Sequence, residues 1–453
     1  MDRSLWAVLI GTFTLRLSTG LTGAMLIYYL ASLSQQHGVL DQLLGVGPGQ
    51  KVGSIAFGVI SALFYVSELA FSPLFGILSD RLGHHRVMQF GPFFGIVAAV
   101  VTWATTNLPI IGGTRLLEGS ATASSVPSIL GYIAGATAND EGLRGRAVAR
   151  FEAATLAGLL GGFVVAGLIF PVLGPAAFLV NGLIYGLSLL IYRYGVDPRL
   201  EMAAALGAGS GTATASPGTV PAAQRSRADL RRYWTILTGT HVWLLAPTWI
   251  AINAVLGLYT TQTIFQMVRE PDPRFPNQLL MGGFESTEIS AGLAVGGALF
   301  LAGLLYWGGR FKTLRRTTII LYGLGGGALL VAGAVGVNHS ADLPVFVRVA
   351  FGVPVILGVF VLAGATPAAI GLLADVTEAY PDDRGAIMGL YSVFLGIGQI
   401  GGSLIAGVAA NGFGLDGVLV ASVVLLAVAV VPLLALRRHE HYLDGSERPA
   451  VLG

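Results

Sequence analysis

The sequence predicts an all-α integral membrane protein with twelve transmembrane helices in two six-helix bundles related by a parallel internal repeat. Three observations carry this reading. Apolar residues make up 54% of the chain against 11% charged, and the mean hydropathy is +0.74, a balance suited to lipid rather than water. Long apolar runs recur twelve times, and at about 20 residues per crossing a chain of 453 residues holds that number. A shift of 240 residues aligns Pro127 with Pro367, Gly131 with Gly371, Arg144 with Arg384, Gly145 with Gly385, Gly158 with Gly398, Gly162 with Gly402 and Gly167 with Gly407, all without a gap.

The first six spans are read at 6–33, 53–78, 87–106, 109–136, 151–172 and 176–194. The last six are read at 234–265, 287–308, 317–338, 345–374, 386–410 and 415–436. The run from Trp6 is long enough to cross, and no small-residue cleavage site ends a short apolar core, so it reads as a first helix rather than a signal peptide. Between the sixth and seventh spans the chain turns to Ala, Gly, Ser, Thr and Pro, a composition that cannot bury enough surface to fold. The expected domains are a bundle over 1–194, a flexible linker over 195–232, a second bundle over 233–438 and a tail over 439–453. An even number of crossings puts both termini on one side. Placing them in the cytoplasm leaves only Lys51, Arg269 and Arg274 clearly outside, so the positive-inside rule fixes that orientation in the cell membrane.

Composition also excludes. A net charge of +2 is too small to argue for a nucleic-acid partner, and the absence of cysteine removes disulfides and thiolate metal sites. No P-loop and no H-E-x-x-H motif is present, so no cofactor, no metal and no enzymatic activity are expected. The expected partners are a small-molecule substrate, protons and membrane lipids, with the chain acting as a monomer.

A charged hinge separates the second and third spans: Gly76-Ile77-Leu78-Ser79-Asp80-Arg81-Leu82-Gly83-His84-His85-Arg86. A connection this short must turn sharply. Gly83 permits a positive backbone angle, and Gly76 would let a neighbouring helix approach closely. The stretch resembles the loop signature of the major facilitator superfamily of transporters, G-x-L-x-D-R-x-G-R-K, at Gly76, Leu78, Asp80, Arg81 and Gly83. His84 and His85 replace the usual cations and Arg86 retains one. The resemblance implies alternating access, with Gly76, Asp80, Arg81, Gly83 and Arg86 forming a cytoplasmic gate against Asp383 and Arg384 at the start of the eleventh span.

Four ionisable residues fall well inside spans of the first half: Arg16, Glu68, Arg115 and Glu118. Charge at such depth costs about 2.5–3.5 kcal/mol for Arg at a helix centre, so each should face a partner or a wet cavity. Arg16 and Glu68 lie at comparable depth on neighbouring antiparallel helices, which makes them either a structural ion pair or a substrate and proton site. Arg115 and Glu118, spaced i and i+3, share a helix face. Arg115-Leu116-Leu117-Glu118-Gly119 resembles the family's fourth-helix signature R-x-x-Q-G-x-G, with Glu118 replacing Gln and Ala121 replacing the second Gly. By that resemblance Arg115 faces the cavity. Glu118, a titratable departure, is expected to carry the proton, with a self-neutralising pair as the alternative. Gly158, Gly161, Gly162 and Gly167 resemble the glycine-rich antiporter signature of the fifth helix, but Phe163 stands where its proline belongs, and helix packing explains these glycines equally well.

The second half offers Trp249, Asn253, Tyr259, Gln262, Tyr391 and Gln399 at membrane depth, an aromatic and amide wall suited to a bulky, largely apolar compound. The expected function is proton-coupled export of a hydrophobic or amphipathic small molecule. The alternatives are uptake of an organic anion clamped by Arg16 and Arg115, and, in another class, a membrane scaffold or lipid-modifying enzyme.

Overall fold

The computed structural model describes residues 3–33, 41, 51–137, 141–198, 242–379 and 384–443. Its helices in chain order are α1 (Arg3–Ser32), α2 (Ser54–Leu82), α3 (His84–Val87), α4 (Phe90–Ala104), α5 (Leu108–Ala136), α6 (Glu141–Leu173) and α7 (Ala177–Leu190). They continue with α8 (Val242–Gly257), α9 (Ile264–Val268), α10 (Ser286–Gly308), α11 (Arg316–Asn338), α12 (Val345–Leu362), α13 (Ala365–Ala379) and α14 (Arg384–Leu443).

Eight stretches of the described residues are long and apolar enough to cross a membrane. Two of them, Arg146–Gly195 with 50 residues and Ser392–Arg438 with 47, are each long enough for two crossings. Their reversals fall at Gly174 and Gly414, whose φ of +52° and +63° lie in the left-handed region that a side chain disfavours. With α5 and with residues 242–268, which the turn Leu258–Thr263 makes continuous, the count reaches twelve. The tenth crossing is broken between α12 and α13 at Ala363–Gly364. The eleventh and twelfth are two helices, as the sequence suggested, meeting within α14 at Gly414, whose backbone is not helical.

α5 is less apolar than these eight stretches because it carries Thr114, Arg115, Glu118, Ser120, Ser124, Ser125 and Ser128, all buried. Most of these hydroxyls bond to carbonyls of their own helix: Thr114 to Ile111 (2.8 Å), Ser120 to Leu116 (2.8 Å), Ser124 to Ala121 (3.0 Å) and Ser128 to Ser124 (2.7 Å). The polar helix therefore needs few outside partners.

The chain divides into two compact units, one of Met1–Ala215, Met267–Pro271 and Gly282–Ala294, the other of Ser216–Gln266, Asp272–Met281 and Val295–Gly453. The first is built around Leu5, Leu15, Ile129, Tyr132, Tyr185 and Tyr192. The core of the second contains Trp249, Ile252, Val255, Ile319, Leu324, Leu362 and Leu426.

The internal repeat holds at the level of individual contacts. A Cβ on Gly158 would lie 2.7 Å from the Phe13 carbonyl, 2.7 Å from Arg16 Cβ and 3.0 Å from Leu17 N. On Gly398 it would lie 2.5 Å from the Ile250 carbonyl, 2.7 Å from Asn253 Cβ and 3.1 Å from Ala254 N. Gly20 closes on Leu159 as Gly257 does on Gln399, Gly95 on Tyr185 as Gly327 on Leu426, and Gly91 on Ala121 and Ser125 as Gly323 on Leu362 and Ala365. One rung keeps its place but reverses direction: Ser188 donates to the Gly11 carbonyl in the first unit (3.0 Å), whereas Thr248 donates to the Ala429 carbonyl in the second (3.0 Å). These glycines let backbones approach closely where lipid provides no hydrophobic drive for helix association.

Candidate functional site

The four ionisable residues that the sequence places inside spans of the first unit fall into two groups. Arg115 and Glu118 pair within α5, both buried, the Arg115 guanidinium lying over the Phe64 ring of α2 at 4.8 Å. The i, i+3 spacing brings them together, and close packing of α5 on α2 encloses them: a Cβ on Gly119 would meet Ser67 Cβ at 2.8 Å and Glu68 N at 3.0 Å. Ser67 seals the same crossing, donating to the Leu116 carbonyl (2.6 Å) and sitting 2.9 Å from the Ser120 hydroxyl. Arg115 Nε and Glu118 Oε1 have no hydrogen-bond partner among the described residues.

The second group centres on Arg16, half-buried on α1. Its charge acts on Glu68 of α2, as sequence depth suggested, and also on Glu152 of α6. No ion pair joins Arg16 to Glu68 among the described residues, so of the two sequence readings the structural pair is not formed, and one guanidinium acts on two carboxylates. The geometry explains this. A helical side chain leans toward its own N-terminus, and α1 packs beside α6 at Phe13–Leu17 against Gly158. Arg16 is thereby directed toward the N-terminal part of α6, where Glu152 stands. Tyr185, against Gly95, and Tyr192, against Gly11, also lie within reach of this charge.

Sequence reasoning missed Glu152 because it sits at the boundary of the fifth apolar run, two residues after Arg150, where an acid reads as an edge residue. It also missed Asp41. That carboxylate is fully buried, accepts from the Thr105 hydroxyl (2.6 Å) and bonds to the backbone and hydroxyl of Thr106, fastening residue 41 to the turn between α4 and α5.

At the hinge, Gly83 adopts φ +91°, as expected for the sharp turn. Gly76 is different. A Cβ there would rest 4.0 Å from Pro127 Cβ, an ordinary contact, so close helix approach does not require this glycine. The tight contact is at Gly131, which packs on the His84 ring as its repeat partner Gly371 packs on Arg316. Arg81 and Arg86 are exposed. The side chains of Asp80, Arg384 and Tyr391, and the whole of Asp383, lie outside the described residues, as does 199–241 of the linker region.

In the second unit Trp249 is part of the apolar core, and Asn253 donates to the Trp249 carbonyl at 2.8 Å. Contact by contact, Asn253 is the repeat equivalent of Arg16. Tyr259 and Gln262 lie on Leu258–Thr263, a π-helical turn that widens the seventh crossing; such turns recur at functional sites. Tyr259 stands near Ser422, at the repeat positions of Thr22 and Asn181, which bond at 2.6 Å, but its own hydroxyl has no hydrogen-bond partner among the described residues. Gln262, Gln399 and Ser403 carry buried polar atoms without hydrogen-bond partners among the described residues. No group of three metal-ligating side chains occurs among the described residues.

The family model described as Major Facilitator Superfamily matches residues 8–353. The chain belongs to the major facilitator superfamily. Its relation to solved members of the same architecture is distant: a nucleoside transporter, NupG, aligns at a TM-score of 0.67 with 12% identity, covering 98% of this chain and 100% of its own. A mutant form of that transporter aligns at 0.65 with 12% identity, covering 96% and 99%. No curated protein matches this facilitator by sequence. It is thus a multi-pass membrane transporter of a small-molecule substrate and not an enzyme, as the sequence indicated.

Proposed function

We propose that this facilitator is a proton-coupled exporter of an amphipathic small molecule, working by alternating access in the cell membrane with both termini cytoplasmic. The observation that supports it is the imbalance around Arg16: one positive side chain against Glu68 and Glu152, with none of the three in an ion pair among the described residues. A site with one surplus negative charge, Arg16 and Glu68 half-buried and Glu152 exposed, is neutralised by a proton or by a cationic end of a substrate. Occupation by one opposes the other, which couples their movements in opposite directions.

Glu118 is the less suitable proton carrier, because its charge is already matched by Arg115. The same pairing weakens the rival reading, uptake of an organic anion, since it leaves Arg16 as the one clamp not already in an ion pair. In this reading Arg16, Glu68, Arg115, Glu118, Trp249, Asn253, Tyr259, Gln262, Tyr391 and Gln399 line or support the pathway. Gly76, Asp80, Arg81, Gly83, Arg86, Asp383 and Arg384 gate its cytoplasmic end. NupG transports nucleosides, but likeness at 12% identity speaks for the fold alone.

The test uses inverted membrane vesicles with an acid interior and ethidium as the probe. Wild type should accumulate ethidium, and the variant Glu68→Gln/Glu152→Gln should not. Undiminished accumulation by that variant, with loss in Glu118→Gln, would move the proton to the α5 pair; no gradient-driven uptake in wild type would sink the export reading.

A further inference from the structure

The repeat supplies an internal reference for which side chains the fold itself needs. Since Gly257 closes on Gln399 as Gly20 closes on Leu159, Gln399 occupies the place of Leu159. Four residues along, in the register that also aligns Gly402 with Gly162, Ser403 occupies the place of Phe163. Gln262 falls in register with Ala24–Met25, allowing for the extra residue of the π-turn, and both of those are buried. Three polar side chains of the second unit therefore stand where the first builds the same architecture from Leu, Phe and Ala or Met.

Their polarity is not spent internally. Gln262 has no exposed surface, yet neither its Oε1 nor its Nε2 has a hydrogen-bond partner among the described residues; the same is true of Gln399 Oε1 and Ser403 Oγ. Leaving such groups unpaired is costly, and an apolar residue would avoid the cost. Residues 242–268 and 392–410 contain no Asp, Glu, Lys or Arg, so these crossings hold no counter-ion for a charged group. Gln262 offers a donor and an acceptor in one plane, Gln399 an acceptor and Ser403 a hydroxyl that serves as either.

We propose that Gln262, Gln399 and Ser403 form an uncharged recognition subsite for the planar amide-type edge of a substrate, a donor beside an acceptor. The proposal rests on the transport reading above and names the neutral part of the molecule carried. A site built to hydrogen-bond such an edge discriminates strongly against analogues in which it is capped.

The test measures melting of the purified full-length protein with nicotinamide and uridine against N,N-dimethylnicotinamide and N3-methyluridine. At least one uncapped compound should raise the melting temperature and its capped counterpart should not. Gln262→Met and Gln399→Leu install first-unit side chains, so each should melt no lower than wild type while weakening binding of the active compound tenfold or more. Melting several degrees lower would show that the amides are structural and overturn the proposal. So would no response to either uncapped compound, equal responses to capped and uncapped ones, or wild-type binding by both variants. Ethidium transport is scored separately. Amide binding without proton-driven ethidium movement removes the export reading and keeps the subsite, and the converse removes the subsite alone.

Discussion

Replacing Gly162 by alanine tests whether the repeat geometry holds the bundles together. The new Cβ would overlap the Leu17 carbonyl oxygen and lie 2.6 Å from Leu21 N, both backbone atoms of α1 that no rotamer change can move aside. Its repeat partner Gly402 meets the Ala254 carbonyl in the same way, with Ala254 Cα at 2.8 Å. Overpacking of this kind costs about 1–3 kcal/mol. For a bundle of about 200 residues that corresponds to a melting shift of about 2–4 °C per kcal/mol. The neighbouring glycines are built-in controls: a Cβ on Gly161 meets only the Leu17 Cδ1 methyl at 3.3 Å, and one on Gly401 meets nothing within 4 Å. Thermal unfolding in detergent should therefore rank Gly162→Ala and Gly402→Ala well below wild type, with Gly161→Ala and Gly401→Ala close to it. Equal losses at 161 and 162, or a neutral Gly402→Ala, would refute the contact-for-contact repeat.

Other outcomes follow from the same geometry. Glu118→Gln leaves the buried Arg115 charge unpaired and should cost about 3–5 kcal/mol, whereas Arg115→Gln/Glu118→Gln should melt above either single variant; additive losses would show the pair is not coupled. Gly83→Ala forces a side chain into φ +91° and should cost about 1–3 kcal/mol, read as a lower melting temperature, with Gly76→Ala nearly neutral. Lys51 and Glu270 pair at 2.9 Å on exposed side chains, and the hydrogen bond and charge of Lys51 hold the Glu270 carboxyl below its ordinary value. A depressed carboxylate contributes stability above its unfolded value of about 4.3 and loses it as pH falls through the lower folded value. The effect of Glu270→Gln on melting should therefore be small near pH 7, vanish in strong acid and shrink in high salt; a pH-independent effect would exclude the pair as its origin.

Twelve crossings, the repeat and the sharp turn at Gly83 were legible in the sequence because hydropathy, spacing and turn chemistry are properties of neighbours along the chain. The Arg115–Glu118 pair was legible for the same reason, being one turn of one helix. What only the tertiary structure decided concerns packing partners. Glu152 joins Arg16 and Glu68 because α6 lies beside α1 at Gly158, a juxtaposition that no spacing of those three residues contains. Gly76 makes no close helix contact, and Gly131 is the glycine packed on the His84 ring, because close approach depends on what the facing helix presents. The equivalence of Arg16 with Asn253 was hidden because the first and seventh crossings follow a different offset from the fifth and eleventh, whereas that of Gln399 with Leu159 lies on the shift the sequence already shows. Only the contacts fix that register, since a loop changes chain length freely while the packing of helix on helix does not.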